Sequence, residues 1–275
     1  MPAAILIAVF SFVAMTYSLF LSFHKWDVLT PVMPFVGLAN YQRALSSPLF
    51  WTAMQNTTVF VVFRVPGTII LALVLALLAE EVTRGKLIYR TVYFLPSVTP
   101  TVVLSLIWMW LYRSDGVINI ALGALGLPQP NWLMSTEFAM PAIIIFSIWE
   151  SVGYQMVIFM AGLADIPTDF YEAAYLDGAT KLQRIWYITL PLLRNSFIFV
   201  TVTSIVGAFQ VFTQAFIMTQ GGPINATTTI AMLIYETGMK FLQMGYAAAL
   251  SWLLFIVVFV FVIIQMQIVR SRQLY

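Results

Sequence analysis

Apolar residues run along this chain in long blocks separated by short polar stretches. A helix needs about 20 mostly apolar residues to cross the hydrocarbon core of a bilayer. Six blocks reach that length: Pro2–Phe23, Asn56–Ala79, Val92–Tyr112, Ala139–Ala161, Asn195–Ile217 and Tyr246–Val269. The reading is an all-α integral membrane fold, with residues 1–275 forming a single six-span transmembrane domain. Arg64, Glu150 and the prolines at 96 and 100 interrupt otherwise apolar blocks. Proline is tolerated in a membrane helix where neighbours re-satisfy the backbone.

Composition agrees with the blocks. The chain is 61% hydrophobic and 9% charged, with a mean hydropathy of +0.92. A soluble domain carries roughly 25% charged residues, so this chain cannot cover a water-facing surface and must contact membrane lipid. A net charge of +2 without a basic run excludes nucleic acid as a partner. The absence of cysteine rules out disulfides, thiol catalysis and Cys-ligated metals. The single histidine, His24, cannot build a His-cluster metal site and falls at the polar end of a span.

Charge asymmetry orients the spans. Six spans sort the loops into two sets. One holds Arg84, Lys86, Arg90, Lys181, Arg184, Arg194, Arg270 and Arg272; the other holds Lys25, Arg43, Arg113 and Lys240. The positive-inside rule makes the first set cytoplasmic and places both termini inside. No basic residue precedes the first block and no clear cleavage site follows it, so it reads as a retained span rather than a signal peptide. The missing basic tail points to a start further upstream.

Charge is dense in one loop, residues 162–194. It contains Asp169, Glu172, Asp177, Lys181 and Arg184. Pro167 suits the first turn of a short helix, and Asp169 and Glu172 lie where carboxylates complement the positive helix end. Gly178 follows, able to take the left-handed conformation that ends a helix. Ala173 and Ala174 leave part of the surface thin, open to close approach by a partner. Leu182, Ile185, Trp186 and Thr189 then recur at helical spacing, as an amphipathic face lying along the membrane would. Pro191 breaks or kinks the chain before the fifth span. The loop is thus two short helices on a glycine joint, built for docking or for connection alone.

These residues resemble a known family. Glu172-Ala173-Ala174, Asp177-Gly178-Ala179, Ile188 and Leu190-Pro191 are similar to the "EAA" loop of type I ABC importer permeases, and most similar to permeases of binding-protein-dependent sugar importers, the maltose and glycerol-phosphate group. Further stretches match in order: FVGLANYQRAL from Phe35, YRTVYFLPSVTP from Tyr89, GVINIALGALGL from Gly116, NWL at Asn131, AGLADIP from Ala161, MTQGGP from Met218 and MGYAAALSW from Met244. Two features depart from the family: Asn195 stands near the place of a proline, and the cytoplasmic tail before the first span is missing.

The resemblance implies a permease subunit of the bacterial or archaeal inner membrane. Its partners would be a second, homologous permease, two ABC ATPase subunits and an extracytoplasmic solute-binding protein. Glu172 would contact an ATPase, Ala173 and Ala174 would permit close packing, Gly178 would make the turn, and Asp177 and Pro191 would complete the coupling loop. ATP and magnesium would be bound by the partner, with no cofactor in this chain. The residues agree: the only Gly-Lys pair, Gly85-Lys86, is followed by Leu87 and lacks the upstream glycine of a phosphate-binding loop.

Polar side chains within spans mark function or pairing. Ser147, Glu150, Ser151 and Tyr154 lie at i, i+3, i+4 and i+7 of the fourth span. The fifth offers Ser204, Gly207, Ala208 and Val211 at the same spacing, with Gln210 and Gln214 one turn apart. By resemblance these two helices line the substrate passage, and Tyr154, Ser147 and Ser151 suit a sugar's C–H face and hydroxyls. Glu150 has two readings, an acceptor for sugar hydroxyls or an ion-pair partner of Arg64. Gln214 fits better as a bond to a neighbouring helix. The external loop Met218–Thr229 reads as a fixed turn, and by resemblance it faces the docked binding protein. Asn56 and Asn225 open short glycosylation-type matches of low specificity.

Two rival classes remain in view. An ion-driven secondary transporter would show paired intramembrane charges and repeated halves; only Arg64 and Glu150 offer themselves, and no repeat is evident. A membrane enzyme would need a nucleophile, metal or acid–base cluster near the surface, and none is visible.

Overall fold

A computed structural model describes Leu6 and residues 8–82 and 84–271, the last four by backbone alone. Pro2–Ile5 and Ile7 of the expected first span, and Arg272, lie outside the described residues. The helices in chain order are α1 (Val9–Ser22), α2 (Ala39–Ser46), α3 (Pro48–Glu81), α4 (Lys86–Val98), α5 (Thr101–Leu111), α6 (Val117–Ala124) and α7 (Ala139–Ala164). They continue with α8 (Thr168–Leu176), α9 (Lys181–Leu192), α10 (Arg194–Phe209), α11 (Thr213–Met218), α12 (Ile230–Tyr235) and α13 (Met244–Ser271). Among the described residues there is no strand.

Among the described residues, three helices are long and apolar enough to cross a membrane unbroken: α3, α7 and α13. Two further spans are bent pairs. The α4–α5 pair turns by 97° at Thr99–Pro100, and the α9–α10 pair by 67° at Leu193. With α1, this accommodates six passages, but two of the six apolar blocks are not single rods. Val92–Tyr112 straddles the 97° bend. Asn195–Ile217 is interrupted at 210–212, between α10 and α11. Pro100 explains the first break, because it excludes helical geometry from the residue before it, and Thr99 is extended at ψ 139°. Pro66 and Pro96, by contrast, lie inside continuous helices.

The helix α7 is the hub. It packs against α3, α4 and α10, with α5 and α11 at its flank. One core cluster joins Phe60, Ile143, Phe146, Phe209, Ile230 and Leu250. A second joins Ala72, Ala76, Met156, Phe159, Leu193 and Val200 nearer the other end. Small residues set the closest approach: a Cβ on Gly153 would lie 1.9 Å from the Tyr93 carbonyl oxygen, so only glycine lets α4 rest on α7.

Members of the two charge sets stand at opposite ends of α3, Arg43 at one and Lys86 and Lys181 at the other. At its start, Asn56 donates to the carbonyls of Asn225 (2.8 Å) and Thr228 (3.0 Å), and Arg43 stacks on Tyr246 with its guanidinium 4.1 Å from the ring centre. At its finish, Glu80 pairs with Lys86 and Glu81 with Lys181.

Candidate functional site

The loop at the Glu81 end has the expected form. Helix α8 starts after Pro167 and stops at Leu176; Gly178 takes φ +76°, a left-handed turn that costs glycine nothing. None of its residues is buried. Glu172, Ala173, Asp177 and Gly178 are exposed, Ala174 is half-buried, and Glu172 has no hydrogen bond or ion pair within the described residues.

Next to α8 the chain departs from the simple amphipathic reading. Thr180 caps α9, its hydroxyl accepting from the Gln183 amide while the Gln183 side chain accepts from the Thr180 amide. A wider turn of the π type over Ile185–Thr189 then shifts the register. Leu182 and Trp186 stay exposed, but Thr189 turns inward to within 3.0 Å of the Tyr171 hydroxyl. The four residues therefore do not form one membrane face. Pro191 is exposed, and the kink it signalled falls two residues later, at buried Leu193. A cleft of ≈ 430 Å³ between Glu80, Glu81, Tyr171, Lys181, Arg184 and Thr189 joins this loop to the end of α3.

The polar residues expected along a passage divide among several neighbours. Positions i, i+3, i+4 and i+7 span an arc of about 100° at 3.6 residues per turn, wide enough to meet more than one helix. Ser147 is buried, its hydroxyl without a partner. Ser151 donates to the Ser147 carbonyl (2.7 Å) and lies 3.3 Å from the Thr68 hydroxyl on α3. Tyr154 is 49% exposed. Ser204 is also buried: its hydroxyl accepts from Gln155 (3.1 Å) and its carbonyl from Arg64 (3.1 Å). Ala208 and Val211 are buried as well, whereas Gly207 and Gln210 are exposed. Ser151 and Ser204 thus bind neighbouring helices, Ser147 is buried without a hydroxyl partner, and none of the three shares a surface with Tyr154, Gly207 and Gln210.

Glu150 is half-buried, and it forms no ion pair with Arg64 within 4 Å. Its Oε1 accepts from the Thr101 hydroxyl (2.5 Å) and its Oε2 from the Gln214 amide (3.1 Å). Arg64 is close enough to interact with it coulombically. The partners Ser97, Thr101 and Gln155 were not expected to matter. Thr101 had one signal, its position directly after Pro100. Gln214 binds a neighbouring helix, the better-fitting of its readings from the sequence.

This geometry can be set beside known proteins. Residues 68–273 match the family described as binding-protein-dependent transport system inner membrane component. The chain belongs to that family. A probable ABC transporter permease protein of Pyrococcus horikoshii is 35% identical over 265 residues, covering 95% of this chain and 91% of that protein. The lactose transport system permease protein of Rhizobium radiobacter is 35% identical over 279 residues, covering 99% and 93%. In three dimensions the chain is similar to the crystal structure of a bacterial alginate ABC transporter in complex with an alginate pentasaccharide-bound periplasmic protein. The TM-score is 0.85 at 24% identity, over 98% of this chain and 92% of that one, a likeness that shows the fold.

Membership makes the chain an inner-membrane transport component rather than an enzyme, with a type I ABC permease fold. The matched span takes in α4 to α13, and so both helix breaks, Glu150 and the whole of the exposed loop.

Proposed function

We propose that this chain is a permease subunit of an ATP-driven importer that takes a sugar or related polyol from an extracytoplasmic binding protein. It acts with a second permease and two ATPase subunits, with both termini on the cytoplasmic side and residues 1–275 working as one transmembrane domain. The carbohydrate class is supported by the lactose permease relative and by the alginate transporter that shares the fold.

One observation carries the coupling reading. Helix α8 is an exposed peg with an unpaired carboxylate, ended by a left-handed glycine and joined through α9 and Leu193 to a membrane helix. In this reading Glu172 meets the ATPase, Ala173 and Ala174 admit its surface, Asp177 and Gly178 close the peg, and Pro191 helps aim α9 at α10. ATP binding by the partners then selects between two permease shapes of different substrate access. The exposed residues Tyr154, Gly207 and Gln210 face the passage shared with the second permease.

The test is purification of the tagged chain from its native membrane in mild detergent, with its companions identified and reconstituted in liposomes. Two ATPases, a second permease and ATP-driven sugar uptake are expected. Glu172→Ala should lower uptake by about tenfold while ATP hydrolysis continues, since the lost contact is a charge-assisted hydrogen bond worth about 1.5–3 kcal/mol. Uptake driven by an ion gradient without ATP would overturn the reading.

A further inference from the structure

Both broken spans of this fold meet at one carboxylate. A break in a membrane helix leaves backbone groups unsatisfied, in a medium where each costs several kcal/mol. Here polar side chains beside the two breaks converge on α7. Thr101, the first residue of α5 after the Thr99–Pro100 break, donates to Glu150 Oε1 (2.5 Å). Gln214, in the first turn of α11 after the 210–212 break, donates to Glu150 Oε2 (3.1 Å). Ser97, in the last turn of α4, works on the backbone beside them. Its hydroxyl donates to the Glu150 carbonyl (2.7 Å) and accepts from the Tyr154 amide (3.1 Å), the two groups that close one turn of α7.

The second break is also held from the external loop. Thr229 donates to the carbonyl of Val211, inside the break, at 2.7 Å. The next residue, Ile230, donates its amide to the Thr57 hydroxyl of α3 at 3.0 Å. Hydrogen bonds, joined by the short run of chain from Val211 to Gln214, therefore link the Met218–Thr229 loop to the α10–α11 break, Glu150 and the α4–α5 break.

We propose that Glu150 is a positioning residue: its carboxylate clasps the two helix breaks to α7 and to each other, so that they move as one unit when the permease changes access. With both carboxylate oxygens engaged by neighbouring helices, Glu150 acts through Thr101 and Gln214 and not by touching sugar. Arg64, lying near it and bound to the Ser204 carbonyl close to the end of α10, balances its charge without competing for its oxygens. This inference rests on the importer reading above.

A swap of side chains tests it. In Glu150→Gln the charge is lost, and the bond to position 214 survives only as a neutral one, with the Gln214 amide turned over. In the double variant Glu150→Gln with Gln214→Glu, donor and acceptor exchange places and the charge returns to that bond. In the reconstituted transporter, Glu150→Gln should cut the maximal uptake rate about tenfold at unchanged KM, the cost of one hydrogen bond to a charged group. The swap should recover most of that rate. Thr101→Val, which removes one arm, gives the same test should Glu150→Gln fail to assemble, with a similar loss of rate expected. A raised KM that the swap does not rescue would make Glu150 a sugar ligand and overturn the proposal, as would wild-type uptake by both single variants.

A second readout does not depend on uptake. Because the chain has no cysteine, spin labels at Val98→Cys and Gln210→Cys, with cysteine-free partners, report the separation of the breaks directly. One narrow distance with and without nucleotide is expected, broadened by Glu150→Gln and narrowed again by the swap. A distance that changes with nucleotide in the otherwise native chain would overturn the clasp. Failure of wild-type uptake would instead sink the importer reading, with the distances still deciding the clasp.

Discussion

Asn119 shows what a single buried amide can hold. Its Nδ2 donates to the carbonyls of Arg113 (3.3 Å) and Pro130 (3.2 Å), and its Oδ1 accepts from the Trp132 indole (3.0 Å). Trp132 in turn stacks on Tyr112, whose hydroxyl reaches the Ala142 carbonyl at 3.0 Å. Asn119→Ala would orphan an indole N–H and two carbonyls, at about 1–3 kcal/mol. A melting temperature several degrees lower in detergent is expected, while Asn119→Ala should leave the coupling loop's own contacts intact. In the sequence, Asn119 and Trp132 stood in two separate motifs, and nothing in either named the other as partner. Ser151 and Ser204 are the converse case. Their polarity within the spans was visible, but a hydroxyl that bonds a neighbouring helix is written with the same letter as one that meets substrate. Direction of approach, the deciding quantity, comes from packing.

Helix breaks and helix crossings belong to the next scale. Hydropathy reads how long an apolar block is and not which way it runs, so Val92–Tyr112 and Asn195–Ile217 looked continuous. The prolines were legible signals, yet Pro66 and Pro96 sit within helices while Pro100 ends one, because neighbouring groups decide which break is tolerated. The coupling loop was more legible: its caps are local chemistry, and Pro167, Gly178 and the helix between them stand where the residues indicated. Two glycines make the difference between local and packing information measurable. Gly153→Ala would press a Cβ against the Tyr93 carbonyl of α4, and overpacking of this kind costs about 1–3 kcal/mol. Lower thermal stability and a poorer yield of folded chain are expected. Gly207→Ala meets nothing within 4 Å and gains helix propensity of up to about 1 kcal/mol. The isolated chain should be at least as stable, while uptake falls because the methyl group projects into the proposed passage. Unchanged uptake in Gly207→Ala would remove α10's exposed face from that passage.

Across the whole molecule the question is how a push on α8 reaches the membrane. No residue of the peg is fully buried, and Tyr171 is its one side chain packed against the second core cluster, so its own packing is slight. The Tyr171–Thr189 contact and the Glu81–Lys181 pair tie it to α9 and to the end of α3, but a surface ion pair of this kind contributes only about 0–1 kcal/mol. The firm joint is Leu193. It lies at the 67° bend, 1% exposed, in the core cluster with Met156, Phe159 and Val200, and one of its methyl carbons lies 3.0 Å from the place of a Cβ on Gly162 in α7. In the proposed coupling, a movement of α9 would therefore be passed to α10 through a seated side chain rather than a free hinge. Leu193→Ala would leave a cavity at that seat, costing about 2–5 kcal/mol. The exposed surface of α8 would be unaltered, so ATPase subunits should still co-purify with the variant and hydrolyse ATP. Sugar transported per ATP should fall severalfold. Leu193→Met, which keeps the volume, should restore most of the ratio. A normal ratio in Leu193→Ala would mean that the push enters the membrane through α3 instead, and the Glu81–Lys181 pair would then be the contact to break.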